Sequence, residues 1–260
     1  MSDDGPMRVP SSSDVDDDVT GTATGSDMQA VVHHPRRVTS FRARRSTISD
    51  RQQAVWDARW PELGLLARTD DEPAAPLDTD AWFGRHAPLV LEIGCGTGTS
   101  TLAMAQEEPG LDVIAVEVYK RGLAQLLSAI DREGVTNIRL IRGDGVDVLT
   151  HMLTPGSLTG VRVFFPDPWP KARHHKRRLL QPDIVALIAD RLRPGGIFHA
   201  ATDHQGYAEQ IAEVGDAEPR LRRVSLDAPD LPMSIARPET KYERKALAGP
   251  DVTELLWERS

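Results

Sequence analysis

From residue 88 onward the chain alternates short apolar runs with longer stretches of helical spacing, and this alternation constrains the fold class more than any other feature. LVLEIG (89–94), DVIAVEV (112–118), NIRLIRGD (137–144), GVRVFFPD (160–167) and IFHAATD (197–203) read as five strands. TSTLAMAQEE and YKRGLAQLLSAIDREG separate the first three, a short helix is expected near 146–152, and PDIVALIADRLRPGG (182–196) precedes the fifth. That last helix is expected to stop at Pro194 and the two glycines after it, because proline does not continue a helix. Strand–helix–strand units of this length close as right-handed parallel crossovers. The fold class is therefore α/β: a doubly wound, mostly parallel sheet with helices on both faces. LRRVS (221–225) and TELLWER (253–259) are expected to supply an antiparallel C-terminal edge. Upstream, a helix is expected around 50 to 58, ending at WPELGLL, and TDDEPAAPLDTDAWFGRHAP (69–88) reads as a surface loop.

The first strand runs into LEIGCGTGTS (91–100), which places Gly94, Gly96 and Gly98 at a strand-to-helix turn. Glycine permits positive φ and lets a ligand approach the backbone. A dinucleotide turn follows G-x-G-x-x-G; counted from Gly94, the third glycine position is Thr99, which disfavours a nicotinamide cofactor. The spacing is instead E-x-G-x-G-x-G, beginning at Glu92, and it resembles the first motif of S-adenosylmethionine-dependent methyltransferases. Glu117 ends the second strand, where a carboxylate can accept from both ribose hydroxyls. Asp144 ends the third, where such enzymes read the adenine amino group. All three acids fall at carboxyl ends of strands, the edge where open α/β sheets bind ligands. Cys95, inside the loop, reads as a small packed thiol rather than a nucleophile.

FFPDPWPKARHHKRR (164–178) leaves the fourth strand on the same edge. Pro166, Pro168 and Pro170 fix their own φ and restrict their neighbours, so Asp167 and Trp169 are expected in extended geometry. From Lys171 to Arg178 there are five Lys/Arg and two His in eight residues. So dense a charge is stabilised by a polyanion, so Arg173, His174, Lys176, Arg177 and Arg178 are candidate contacts to a nucleic-acid backbone. A second basic segment, HHPRRVTSFRARRST (33–47), offers Arg42, Arg44 and Arg45. The overall charge of -8 hides this, because seven Asp against one Arg give residues 1–30 a net of -6 and leave -2 for the rest.

These shifts divide the chain into a disordered acidic tail (1–32), a basic arm (33–50) and a catalytic domain (51–260). A single cysteine excludes an intrachain disulfide and points to the cytoplasm. No apolar run approaches the ~18 residues of a membrane helix, and the histidines lack metal-ligand companions, so neither membrane nor metal is expected.

The block FPDPWPKARHHKRR, with the glycine loop, TDH (202–204) and TKYE (240–243), resembles the bacterial tRNA (guanine-N(7)-)-methyltransferase family over residues 40 to 260. The resemblance implies S-adenosyl-L-methionine as cofactor, tRNA as partner and N7 of the variable-loop guanine at tRNA position 46 as acceptor. It assigns Glu92, Glu117, Asp144 and Asp167 to the cofactor, with Asp167 also catalytic, and Lys171, Asp203, Thr240, Lys241, Tyr242 and Glu243 to the substrate. The acidic tail has no counterpart in it. Guanine N7 carries an in-plane lone pair, so positioning rather than a strong base is what its methylation requires. Two readings compete: a methyltransferase on another base or small molecule, and a methyltransferase-like protein that only binds RNA. PDPWP departs from the D/N-P-P-Y/F turn of exocyclic-amine methyltransferases, and the intact glycines and acids argue against a decayed site.

Overall fold

Ser49 starts the first helix of the computed structural model, which describes residues 47–70, 72–238 and 251–260. The acidic tail and residues 33–46 of the basic arm lie outside these, as do Arg42, Arg44, Arg45 and Thr240, Lys241, Tyr242 and Glu243. The Ser49 side chain and Gln52 form a reciprocal capping box, and α1 runs Asp50–Leu63, through Pro61. It outlasts the expected end near 58 because Trp56 and Trp60 stack at 4.0 Å and the Gly64 N–H closes onto the Trp60 carbonyl.

The elements then follow as β1 (Gly64–Leu66), β2 (Arg68–Thr69), β3 (Glu72–Pro73), α2 (Thr79–Phe83), β4 (Leu89–Ile93), α3 (Thr99–Glu107), β5 (Asp112–Glu117), α4 (Lys120–Glu133) and β6 (Ile138–Arg142). After these come α5 (Gly145–Asp147), continuing as a π turn (Val148–Met152), β7 (Leu158–Phe164), a 3-10 helix (Ala172–Arg177), α6 (Pro182–Arg191), β8 (Leu192–Thr202), α7 (Gln205–Ala217), β9 (Leu221–Arg223) and β10 (Thr253–Arg259). Eight strands form one sheet in the order β1-β6-β5-β4-β7-β8-β10-β9. The first six are parallel, while β10 runs antiparallel to both its neighbours.

Four local expectations are corrected. The loop expected over 69–88 contains the antiparallel β2–β3 pair and α2. GLL, directly after α1, adds a sixth parallel strand at the β6 edge. TELLWER is not an edge strand: it pairs with β8 on one side and β9 on the other. The helix before β8 ends at Arg191 rather than Pro194, with Leu192 already extended at φ -68, ψ 138; Pro194 disfavours helical geometry for Arg193 and has no N–H with which to continue the helix.

Both faces are packed. Val90, Ala115, Leu140 and Leu256 share one core with Leu123, Leu127 and Ile130 of α4 on one side. Leu91, Ile114, Val161 and Phe198 meet Ile184 and Ile188 of α6 and Ile211 of α7 on the other. Full burial of each such side chain contributes roughly 1.5–3 kcal/mol. The sheet is thereby a rigid platform, and the carboxyl ends of β4 to β8 share one rim.

Candidate active site

At the rim, Gly94, Gly96 and Gly98 all have left-handed backbones, with φ of 80, 57 and 72°. The N–H groups of Gly94 and Cys95 both donate to the Val116 carbonyl, at 2.9 and 3.1 Å, which folds the loop over β5. A Cβ on Gly94 or Gly96 would meet nothing within 4 Å, so space lies open above the loop. From below, α4 comes so close that a Cβ on Gly122 would sit 2.1 Å from the Gly96 carbonyl oxygen.

The acids surround this cradle. Glu117 is half-buried at the end of β5; Oε2 accepts from Gly96 N at 3.0 Å and Oε1 from Val118 N and Tyr119 N at 2.7 and 3.0 Å. Burial raises its pKa, the three N–H groups pull it down, and the negative charge of Asp167 pushes it up again. Asp167 and Glu117 are therefore within electrostatic reach of each other. Glu92 is 3% exposed on β4, and its Oε2 has no hydrogen-bond partner. Burial raises its pKa, opposed by the charge of Arg162. Asp144 caps α5, accepting from Val146 N at 2.9 Å. The Cys95 thiol is pushed well above its ordinary value by burial and by the charges of Glu92 and Glu117, which leaves it un-ionised.

Asp167 stands exposed on the turn after β7. Phe165 and Trp169, two residues to either side, are both left-handed, with φ of 50 and 42°. Extended geometry is thus wrong for Trp169: both residues precede a proline, which closes the right-handed region to them, and ring contacts hold the strained alternative. Arg177 lies over the Trp169 ring at 5.0 Å, with His174 edge-on at 5.8 Å, and Arg237 lies over Phe165 at 4.8 Å. Strain of this kind costs roughly 1–3 kcal/mol per residue and is found where a turn must present a side chain.

The comparisons with known proteins agree with this geometry. A protein-family model described as "Putative methyltransferase" matches residues 86–253. A tRNA (guanine-N(7)-)-methyltransferase of Mycolicibacterium gilvum is 76% identical over 92% of this chain and 97% of its own. One of Mycolicibacterium vanbaalenii is 72% identical over 100% of this chain and 99% of its own. The chain belongs to the tRNA (guanine-N(7)-)-methyltransferase family.

For a member of this family, the basic segment after Asp167 divides in two. Lys171, Arg173, Lys176 and Arg177 are exposed on or beside the 3-10 helix, with His174 half-buried. The His174 imidazole is held below its ordinary pKa by burial and then by Arg177, Arg173 and Lys171. Arg178, expected among the RNA contacts, is corrected: it is 1% exposed. Its Nε donates to the Pro168 carbonyl at 2.8 Å, and Nη1 donates to Gly206 O at 3.0 Å and Gln210 Oε1 at 2.6 Å. The guanidinium also lies over the Tyr207 ring at 4.8 Å. It anchors the Asp167 turn to α7. Asp203 is exposed just beyond β8, and α7 is capped at His204 without a side-chain hydrogen bond, so Asp203 does not serve as its cap.

Sequence reasoning missed Arg162 and His199, both fully buried. The signal was there: each is a charged or titratable residue in an apolar strand, GVRVFF and IFHAAT. Among the described residues no cluster of three or more His, Cys, Asp or Glu is arranged to hold a metal ion, and no helix is long and apolar enough to cross a membrane.

Proposed function

We propose that this chain transfers a methyl group from S-adenosyl-L-methionine to N7 of the guanine at position 46 in the variable loop of tRNA. The observation that carries the reading is the open cradle of Gly94, Gly96 and Gly98 held by Glu117, with the exposed Asp167 near enough for its charge to act on that carboxylate. The cradle and the unpartnered Glu92 oxygen fit the amino-acid end of the cofactor: room for close backbone approach, and a buried acceptor for an ammonium group. Glu117 would accept from the ribose hydroxyls with lone pairs its backbone donors leave free, and Asp144 from the adenine amino group. When bound, the cofactor supplies an electrophilic methyl group on a sulfonium.

The chain's own residues do the rest. N7 needs no deprotonation, so holding the base in line is the main contribution. Asp167 accepts from the guanine N1–H and N2–H edge or faces the positive charge that develops on the methylated ring. Lys171, Arg173, Lys176 and Arg177 neutralise phosphates while the base leaves its stack. The N-terminal basic arm adds a second contact. Asp203, Thr240, Lys241, Tyr242 and Glu243 are assigned to substrate binding by the family resemblance. The reaction takes place in the cytoplasm.

The test uses purified protein, methyl-labelled cofactor and two transcripts with guanine or adenine at the variable-loop position. 7-Methylguanosine, identified by mass spectrometry in the first transcript alone, is the expected product. Cofactor binding without methylation of either would remove the substrate assignment.

A further inference from the structure

A row of polar side chains crosses the sheet beneath the cradle, and the reaction proposed above leaves most of it unused. Glu92 on β4, Arg162 on β7 and His199 on β8 are successive register partners, so they project side by side from one face. Glu254 on β10 extends the row through a 2.8 Å contact with His199 Nε2, and Arg237 Nη2 reaches its other oxygen at 3.3 Å. Arg162 is fully buried yet uses one nitrogen only: Nη2 donates to Glu108 Oε2 at 3.1 Å and to the Ser234 carbonyl at 3.0 Å. Its Nε and Nη1, like Glu92 Oε2, are buried without a partner.

Buried donors and acceptors are normally paired, and each exception calls for a reason. Here a carboxylate and a guanidinium sit on adjacent strands at the same level, both nine-tenths buried or more, without bonding each other. Unpaired groups of this kind suit the polar end of a ligand.

We propose that Arg162 is a positioning residue for the cofactor: from its register position on the adjacent strand β7 it holds the Glu92 carboxylate ready for the ammonium group of the methionyl moiety. This rests on the cofactor assignment made above. The groups facing Glu92 are Arg162 from β7, the Cys95 thiol from the glycine loop and the Thr101 hydroxyl from α3. Glu117 on β5 and His199 on β8 lie further along the same face, and Glu108, just past α3, partly neutralises Arg162. Burial favours the neutral form of Glu92, and the Arg162 charge is the main opposing influence. A neutral Glu92 would receive an ammonium group poorly.

The experiment is calorimetric titration of the full chain with S-adenosylhomocysteine, which has the same amino-acid end, from pH 5.5 to 8.5. Wild-type binding at pH 8 tests the cofactor assignment by itself; its absence overturns that assignment and this inference together. Arg162→Gln is expected to weaken binding progressively as pH falls, with at least about a tenfold larger loss at pH 6 than at pH 8.5. Arg162→Lys restores the wild-type profile, and Glu92→Gln removes the pH dependence. Glu108→Gln removes the negative charge that offsets Arg162 and extends binding to lower pH, which keeps the inference testable should Arg162→Gln not fold. A loss in Arg162→Gln equal at every pH, or none, overturns it with the cofactor assignment intact. So does a Glu108→Gln profile that moves to higher pH.

Discussion

Arg178→Ala tests whether this arginine anchors the Asp167 turn to α7 or contacts RNA. Truncation removes a buried guanidinium with three hydrogen bonds, to Pro168 O, Gly206 O and Gln210 Oε1, and its stacking on Tyr207. Two carbonyls and an amide oxygen lose a charged donor. An unsatisfied buried acceptor costs about 1–3 kcal/mol and the losses are not additive, so about 3–5 kcal/mol is expected for the site. Against a total of roughly 5–15 kcal/mol for a domain, the variant stays folded but its urea midpoint drops clearly. A phosphate contact has a different signature: stability within about 0.5 kcal/mol of wild type and a salt dependence of tRNA binding shallower by roughly 0.7–0.9 in log–log slope. Arg173→Ala, at an exposed position, is expected to show that second pattern. The assay is urea denaturation beside tRNA binding from 50 to 300 mM salt under conditions where both variants are folded. Arg178→Ala with wild-type stability and a shallower slope would refute the assignment of Arg178 as an anchor.

Other perturbations follow from the same geometry. Gly122→Ala puts a Cβ 2.1 Å from the Gly96 carbonyl oxygen, so α4 must push the cradle and cofactor affinity should fall at least about tenfold; unchanged affinity by titration would show that the loop yields freely. Asp144→Asn keeps a good cap for α5 and should leave thermal stability unchanged while weakening cofactor binding, whereas Asp144→Ala loses about 1 kcal/mol of capping as well. Glu254 is held below its usual pKa by its hydrogen bond to His199, with Arg237 adding to it. A carboxylate depressed in the folded state stabilises above its unfolded pKa, near 4.3, and loses that contribution as pH falls through the folded value. Glu254→Gln should therefore flatten the decline in the urea midpoint below about pH 4.5, and an unchanged decline would count against the pairing.

The fold was legible because apolar runs and helical stretches alternate, and because Gly94, Gly96 and Gly98 interrupt them where a crossover must turn. The acids Glu92, Glu117 and Asp144 could be placed toward the ligand rim for the same reason: each lies at or next to the carboxyl end of a strand. What stayed hidden depends on register or packing. Gly64–Leu66 is too short to announce a strand without the β6 edge beside it. Arg178 looks like its neighbours in a basic run, and only α7 and Tyr207 bury it. The left-handed Trp169 was missed because proline excludes right-handed geometry from the preceding residue but does not by itself choose extended over left-handed. Arg162 and His199 become partners in a row only once β4, β7 and β8 are aligned.

The central claim is that N7 is the acceptor, and a tRNA carrying 7-deazaguanosine at position 46 tests it most directly. That base keeps the Watson–Crick edge and replaces the nucleophilic nitrogen with carbon. The account predicts that it binds like the unmodified tRNA, competes with it and receives no methyl group. Methylation of the 7-deaza substrate at wild-type rate, at any atom, would contradict the account.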